Sequence, residues 1–195
     1  MSKFQKHYHF LIYKPYRMLS QFTSNDEKQL RKKRFLGELY DFPEGVMAVG
    51  RLDENSEGLL LITTDGQWSN HVNKSGEFEK EYYAQLDGIP DEEILEQLRS
   101  GVKIGLNGKK YLTQPAKVAR IDSPELPATL QRIRNDRHGP TSWISITITE
   151  GKYRQVRKMC SAVGLPVLRL ARVRIGDYKL DMLMGTTVME VEPYS

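Results

Sequence analysis

The stretch Met47–Gly66, MAVGRLDENSEGLLLITTDG, sets two short apolar runs around a charged centre. Val46–Val49 and Leu59–Thr63 each read as a strand by their length and apolar character. Between them lie Arg51, Asp53, Glu54, Asn55 and Glu57. A turn between strands needs Gly, Asn or Asp, but it has no need of an arginine two residues before an aspartate. In an extended segment Arg51 and Asp53 point to the same side. That placement asks for a chemical role as well as a turn.

Working outward, Tyr8–Tyr13 reads as a strand stopped by Lys14-Pro15, since proline cannot donate to a ladder. Ser20–Arg34 is polar and basic and reads as a loop entering a short helix near Leu36 and Leu39. Asp65 is placed to cap a helix containing Trp68 and Val72. Phe78–Leu86 alternates and predicts a long strand. PDEEILEQLRSG has acids in its first turn, an apolar stripe at Ile94, Leu95 and Leu98, and Gly101 as its stop, which is a helix with good boundary signals. Ala116–Ile121 reads as a strand, Ser123–Thr141 as an exposed basic loop, and SWISITIT as a strictly alternating strand. Gln155–Val163 places Val156, Met159, Cys160 and Val163 at helical spacing before Gly164 and Pro166. Val167–Ile175 and Val188–Val191 complete the strands. Strands with a few interspersed helices define an α+β fold with one mixed, mainly antiparallel sheet.

The 195 residues suffice for one domain with a sizeable core. The longest apolar run, Gly58–Ile62, falls far short of the roughly 20 residues that span a bilayer. The N-terminus shows no signal peptide, and the single cysteine, Cys160, excludes an internal disulfide and fits a reducing cytoplasm. No membrane partner is expected. The net charge of +4 conceals a segregation. Residues 1–40 carry nine Lys/Arg against three Asp/Glu, residues 41–100 four against fourteen, and residues 131–175 ten against two. Two basic blocks flanking an acidic middle suit a polyanion such as nucleic acid; a solvated surface of mixed charge is the bland alternative.

EGKYRQVRKMCSAVG supplies a second constellation. With the apolar stripe inward, Arg154, Arg157, Lys158 and Ser161 share the opposite face. Cations at a helix start oppose the macrodipole, so the placement either is a plain solvated face or serves an anion.

Five motifs in order, KPY, GRLDENSEGLLLITTDG, KEYYAQLDG, EGKYRQVRKM and LRLARVRIGDYKL, resemble those of bacterial rRNA pseudouridine synthases of the RsuA type over nearly the whole chain. The resemblance implies the pseudouridine synthase fold: two α+β lobes sharing a sheet with flanking helices and a central cleft. It implies isomerisation of a uridine in 23S rRNA, free or in the assembling large subunit, without metal or organic cofactor; the protein is expected to be a monomer. Members of the group often carry an S4 RNA-binding module ahead of the catalytic domain. Here Asp53 comes too early to leave room for one, so residues 1–195 are expected to form a single catalytic domain.

By the same resemblance Asp53 is the catalytic nucleophile, either attacking the ribose or first assisting removal of a ribose proton. A carboxylate suits both tasks. Arg157 is implied as its arginine partner, able to hold a carboxylate ionised through two hydrogen bonds. Tyr82 corresponds to the active-site tyrosine, whose ring stacks on the uracil. Its hydroxyl is a candidate for moving the C5 proton. Tyr82 and Tyr83 face opposite sides of a strand, so one of them can be core. Lys80 shares the face of Tyr82 and is a candidate phosphate contact. Arg51 serves either the RNA or a surface ion pair with Glu54 or Glu57. Lys14, Arg154 and Leu170 are candidates for shaping the substrate site, Leu170 as an apolar wall. Arg132, Arg134 and Arg137 in the basic loop, Lys32, Lys33 and Arg34 near the start, and Lys158 are candidate RNA contacts. Cys160 reads as a buried structural thiol. The histidines form no metal-ligand pattern. Two other readings stand beside this one: a non-catalytic rRNA-binding assembly factor, and a metal-dependent nuclease using Asp53 and Asp65.

Overall fold

The computed structural model describes residues 6–74, 76–134 and 136–193. Residues 1–5 of the N-terminal reading and Asn135 of the predicted basic loop lie outside that set. In chain order come β1 (His9–Lys14), α1 (Glu27–Lys32), β2 (Met47–Val49), β3 (Glu57–Thr63) and α2 (Gly66–Lys74). Then follow β4 (Lys80–Asp87), α3 (Glu92–Ser100), β5 (Lys103–Leu106), β6 (Lys109–Leu112), β7 (Lys117–Ile121) and β8 (Thr141–Ile148). The last elements are α4 (Gln155–Ala162), β9 (Val167–Ile175), β10 (Tyr178–Lys179) and β11 (Val188–Glu190). The chain divides into two compact units. The first runs up to Phe78 and resumes at Asp177; the second is Glu79–Gly176.

In the first unit β1 is flanked by β11 and β3, and β2 lies against β3, all antiparallel. Every residue of β1 and of β3 is buried. That explains why Gly58–Ile62 reads as a continuous apolar run: a strand covered on both faces has no polar side to alternate. Phe10, Ile12, Leu60 and Ile62 pack with Met18 and Leu36. Asp65 caps α2 as expected, its Oδ1 accepting from the backbone N–H of Gln67 and Trp68.

In the second unit β4 pairs with β8 on one side and β9 on the other, and β7 extends the sheet beyond β8, again antiparallel throughout. The period of two separates its faces. Tyr82, Ala84, Leu86, Ile144, Ile146 and Val118 are buried on one side, while Glu81, Tyr83 and Gln85 are half-buried on the other. α3 starts at Asp91, whose side chain accepts from the Ile94 N–H, and stops at Gly101 with φ 97°. A Cβ there would stand 2.4 Å from the Thr113 carbonyl, so only glycine fits. α4 buries Val156, Met159 and Cys160 of the predicted stripe, together with Gln155, while Val163, the fourth predicted position, is the half-buried C-cap. Burial pushes the Cys160 thiol up to about 12, consistent with a structural role.

The α+β reading and most elements match the sequence. Several places differ, among them the short 3₁₀ turns at Asp136–His138 and Leu180–Leu183 and the two-residue strand β10, which the sequence did not indicate. α1 forms inside the predicted Ser20–Arg34 loop, started by Asp26, which accepts from Lys28 and Gln29. The expected helix near Leu36 is a single 3₁₀ turn. The hairpin of β5 and β6 was not foreseen.

Candidate active site

The turn that carries Asp53 is held from several sides. Ser20 Oγ accepts from the Leu52 N–H at 2.9 Å and donates to the Leu52 carbonyl at 2.8 Å, both buried. The Arg17 N–H donates to the Glu54 carbonyl at 2.8 Å, and the Ser56 N–H closes the turn on the Asp53 carbonyl at 3.0 Å. Lys33 grips both oxygens of Glu54 at 2.8 and 2.9 Å. Glu57 is buried at the head of β3, and Asp53 itself is half-buried. The crowd of carboxylates is therefore sorted: Asp53 opens the turn, Glu54 is held by Lys33, and Glu57 belongs to the strand.

Arg51 is exposed and donates to Gln21 at 3.2 Å; the ion pair with Glu54 considered from the sequence is replaced by that of Lys33. Lys33, expected to contact RNA, is thus committed to the turn. Lys14 is fully buried, its ammonium donating to the carbonyls of Pro15 and Met18. It fixes the chain that follows β1 and offers no exposed surface to a substrate.

In the second unit one sheet face gathers the next group. Tyr82 lies opposite Arg172 in the register, and Ala84 lies opposite Leu170. A register shift between Glu81 and Tyr82 aims Arg172, which is 5% exposed, along that face. Lys80 shares it, and burial first, then the charge of Arg172, lowers the Lys80 ammonium from its ordinary value. Tyr82 and Leu170 are nearly buried and Tyr83 is half-buried, so Tyr82 belongs to the more enclosed face. Arg172 is not among the residues that the sequence singles out. The signal was its place in the alternation of LRLARVRI, an arginine on the side that burial favours for Leu170.

α4 carries the cations. Arg154 is its N-cap with φ 53° and ψ 37°, offers no side-chain cap, and is followed by no acid in the first turn. A left-handed arginine costs roughly 1–2 kcal/mol, and such strain clusters at working sites. Arg157 is half-buried and donates to the Val167 carbonyl at 3.2 Å, which ties α4 to the start of β9. Lys158 donates to the Gly105 carbonyl at 2.8 Å.

The basic loop is only partly free. Arg134 pairs with Asp87 and donates to the Gly139 carbonyl, Gln131 reaches the Leu168 carbonyl, and Arg169 holds the Pro127 carbonyl. Arg132 and Arg137 are exposed. Arg34 pairs with Glu38 across an exposed turn of chain, and Lys32 is exposed. Among the described residues no group of three or more His, Cys, Asp or Glu could hold a metal ion, and no helix is long and apolar enough to cross a membrane. Asp65, one arm of the nuclease reading, is occupied as the α2 cap.

These features define a class. Residues 7–162 match the model of the RNA pseudouridylate synthase family, and the chain belongs to it. It is 42% identical over 175 residues to the ribosomal large subunit pseudouridine synthase E of Xanthomonas axonopodis pv. citri, covering 89% of this chain and 88% of that one. It is 39% identical over 182 residues to the synthase of the same name from Vibrio parahaemolyticus, covering 92% and 71% of the two chains. Among solved structures, a crystal structure of a pseudouridylate synthase superposes with a TM-score of 0.72 at 28% identity, covering 98% of this chain and 73% of that one.

Proposed function

We propose that this protein isomerises a uridine of large-subunit rRNA to pseudouridine, with Asp53 as the carboxylate that acts on the ribose. The C1′–N1 bond breaks, the uracil turns, and a C1′–C5 bond forms. The C5 proton leaves and N1 is protonated, so the atoms balance without a co-reactant. The observation that supports this most is the clamped Leu52–Ser56 turn within a chain of this family: Ser20, Arg17 and Lys33 hold its frame and leave Asp53 at its centre. Catalysis by a fixed group depends on such positioning, since small misplacements are costly in rate.

Tyr82 stacks on the uracil, and its hydroxyl serves the C5 proton. Arg157 supports the carboxylate. Arg132, Arg137, Lys32 and Arg154 contact the RNA backbone. A target in a duplex must leave its stack, which costs a few kcal/mol and less in a loop.

The test is tritium release from 5-tritiated uridine in transcribed 23S rRNA, run with and without EDTA. Release that persists in EDTA, mapped to one uridine, is the expected result. No release from any large-subunit transcript would leave only an RNA-binding role, and shortening of the transcript that EDTA abolishes would revive the metal-dependent nuclease reading.

A further inference from the structure

The hairpin of β5 and β6 has no part in the chemistry described above. Its two-residue turn is Asn107–Gly108, with φ 49° and 76°. Both residues are left-handed, as the tight turn matching strand twist demands. Ile104 and Tyr111 pair on the inner face, where Ile104 is buried; Gly105 pairs with Lys110 on the outer one. Lys103, Lys109 and Lys110 are exposed, and none forms an ion pair among the described residues.

The hairpin is fastened to the start of α4. Tyr111 donates its hydroxyl to Glu150, which also accepts from the Gln114 N–H at 2.8 Å and from the side chain of Gln155. The Glu150 carboxylate is thereby occupied inward. From the other side Lys158 binds the Gly105 carbonyl while its ammonium stands 5.0 Å from the centre of the Tyr153 ring. Tyr153 is 71% exposed, the most exposed tyrosine among the large exposed side chains. A flat ring beside a lysine, next to a rigid arm of lysines, matches the way unpaired nucleic acid is held: cations along the backbone, an aromatic under a base.

We propose that the tip of the β5–β6 hairpin and Tyr153 form one RNA-binding surface, in which Lys109 and Lys110, on opposite faces of the strand directly after the Asn107–Gly108 turn, neutralise phosphates at the tip and Tyr153 stacks on an unpaired base. Lys103 has a smaller share, because the concavity it borders is also lined by Glu93 and Glu96. The proposal rests on the RNA-modifying reading above and adds to it where flanking RNA is gripped. The competing role for the lysines is protection of the open edges of a two-stranded sheet against pairing with other chains.

The experiment is a salt titration of binding to an in vitro transcribed 23S rRNA fragment and to oligouridylate, with thermal melts to show that each variant folds. Phosphate contacts release counterions, so K109Q/K110Q is expected to flatten the slope of log affinity against log salt by about 1.5. K103Q is expected to change it less. Y153A is expected to lower affinity for oligouridylate about tenfold with the slope unchanged, in line with the loss of one stacked base. An unchanged slope in K109Q/K110Q, or unchanged affinity in Y153A, overturns the proposal. Wild-type protein that binds with the expected slope yet releases no tritium would defeat the proposed activity and leave this surface standing.

Discussion

The turn carrying Asp53 and the helix start carrying Arg157 are stabilised in opposite ways. Around the turn every neighbour is matched: Ser20 satisfies both backbone groups of Leu52, and Lys33 neutralises Glu54. At the start of α4 the charges are mismatched. Arg154 is left-handed, no acid occupies the first turn, and Arg154, Arg157 and Lys158 stand at the positive end of the helix. A matched frame holds one anion in place.

After loss of Asp53, the largest effect separates chemistry from packing on the Tyr82 face. Tyr82→Phe keeps the ring and removes the hydroxyl, and is expected to slow the single-turnover step by about 10²-fold or more. Tyr82→Leu loses the ring as well and is expected to be slower still. Near-normal rates in both would return Tyr82 to the core.

Next comes the contrast itself. Ser20→Ala leaves both buried backbone groups of Leu52 without their partner and is expected to destabilise the protein by about 1–3 kcal/mol in urea titrations, with turnover falling as the turn loosens. Arg154→Gly relieves a left-handed backbone and is expected to leave the melting temperature unchanged or higher, while RNA affinity drops. If both variants lose stability alike, the two regions are not built on different principles.

The smallest effect is a pH dependence. The Lys80 ammonium is lowered by burial and by Arg172, so the charged form is disfavoured in the folded state. That penalty is fully present below the lowered value and fades as pH rises toward the ordinary lysine value. Lys80→Met is therefore expected to gain a little melting temperature near neutral pH and to lose the gain at alkaline pH, while substrate binding weakens. A loss of stability at neutral pH would show that Lys80 has a stabilising contact that outweighs its burial.

What the sequence disclosed follows from the range of the interactions involved. The strands β3, β4 and β8, the helices α3 and α4 and the Asp65 cap were legible because periodicity and capping are local. The β5–β6 hairpin was legible in principle, since Asn107-Gly108 is a strong turn signal. KIGL and KKYL, however, are four residues each and lack a clean alternation. The commitment of Lys33 to Glu54 and of Arg134 to Asp87 left no local trace. These pairs lie 21 and 47 residues apart in sequence, and composition alone counted both cations as available for RNA. For the candidate site, the motifs single out Asp53, Tyr82 and Arg157. They do not single out Arg172, because its neighbour across the strand is set by a register shift.

The central claim is that Asp53 acts in the reaction and is not part of the frame. Asp53→Ala, assayed by tritium release and by binding to the same rRNA transcript, tests it most directly. The account predicts no detectable pseudouridine, RNA affinity within a few-fold of wild type, and an intact fold, because the turn is held by Ser20, Arg17 and Lys33. Appreciable turnover by the variant would contradict it.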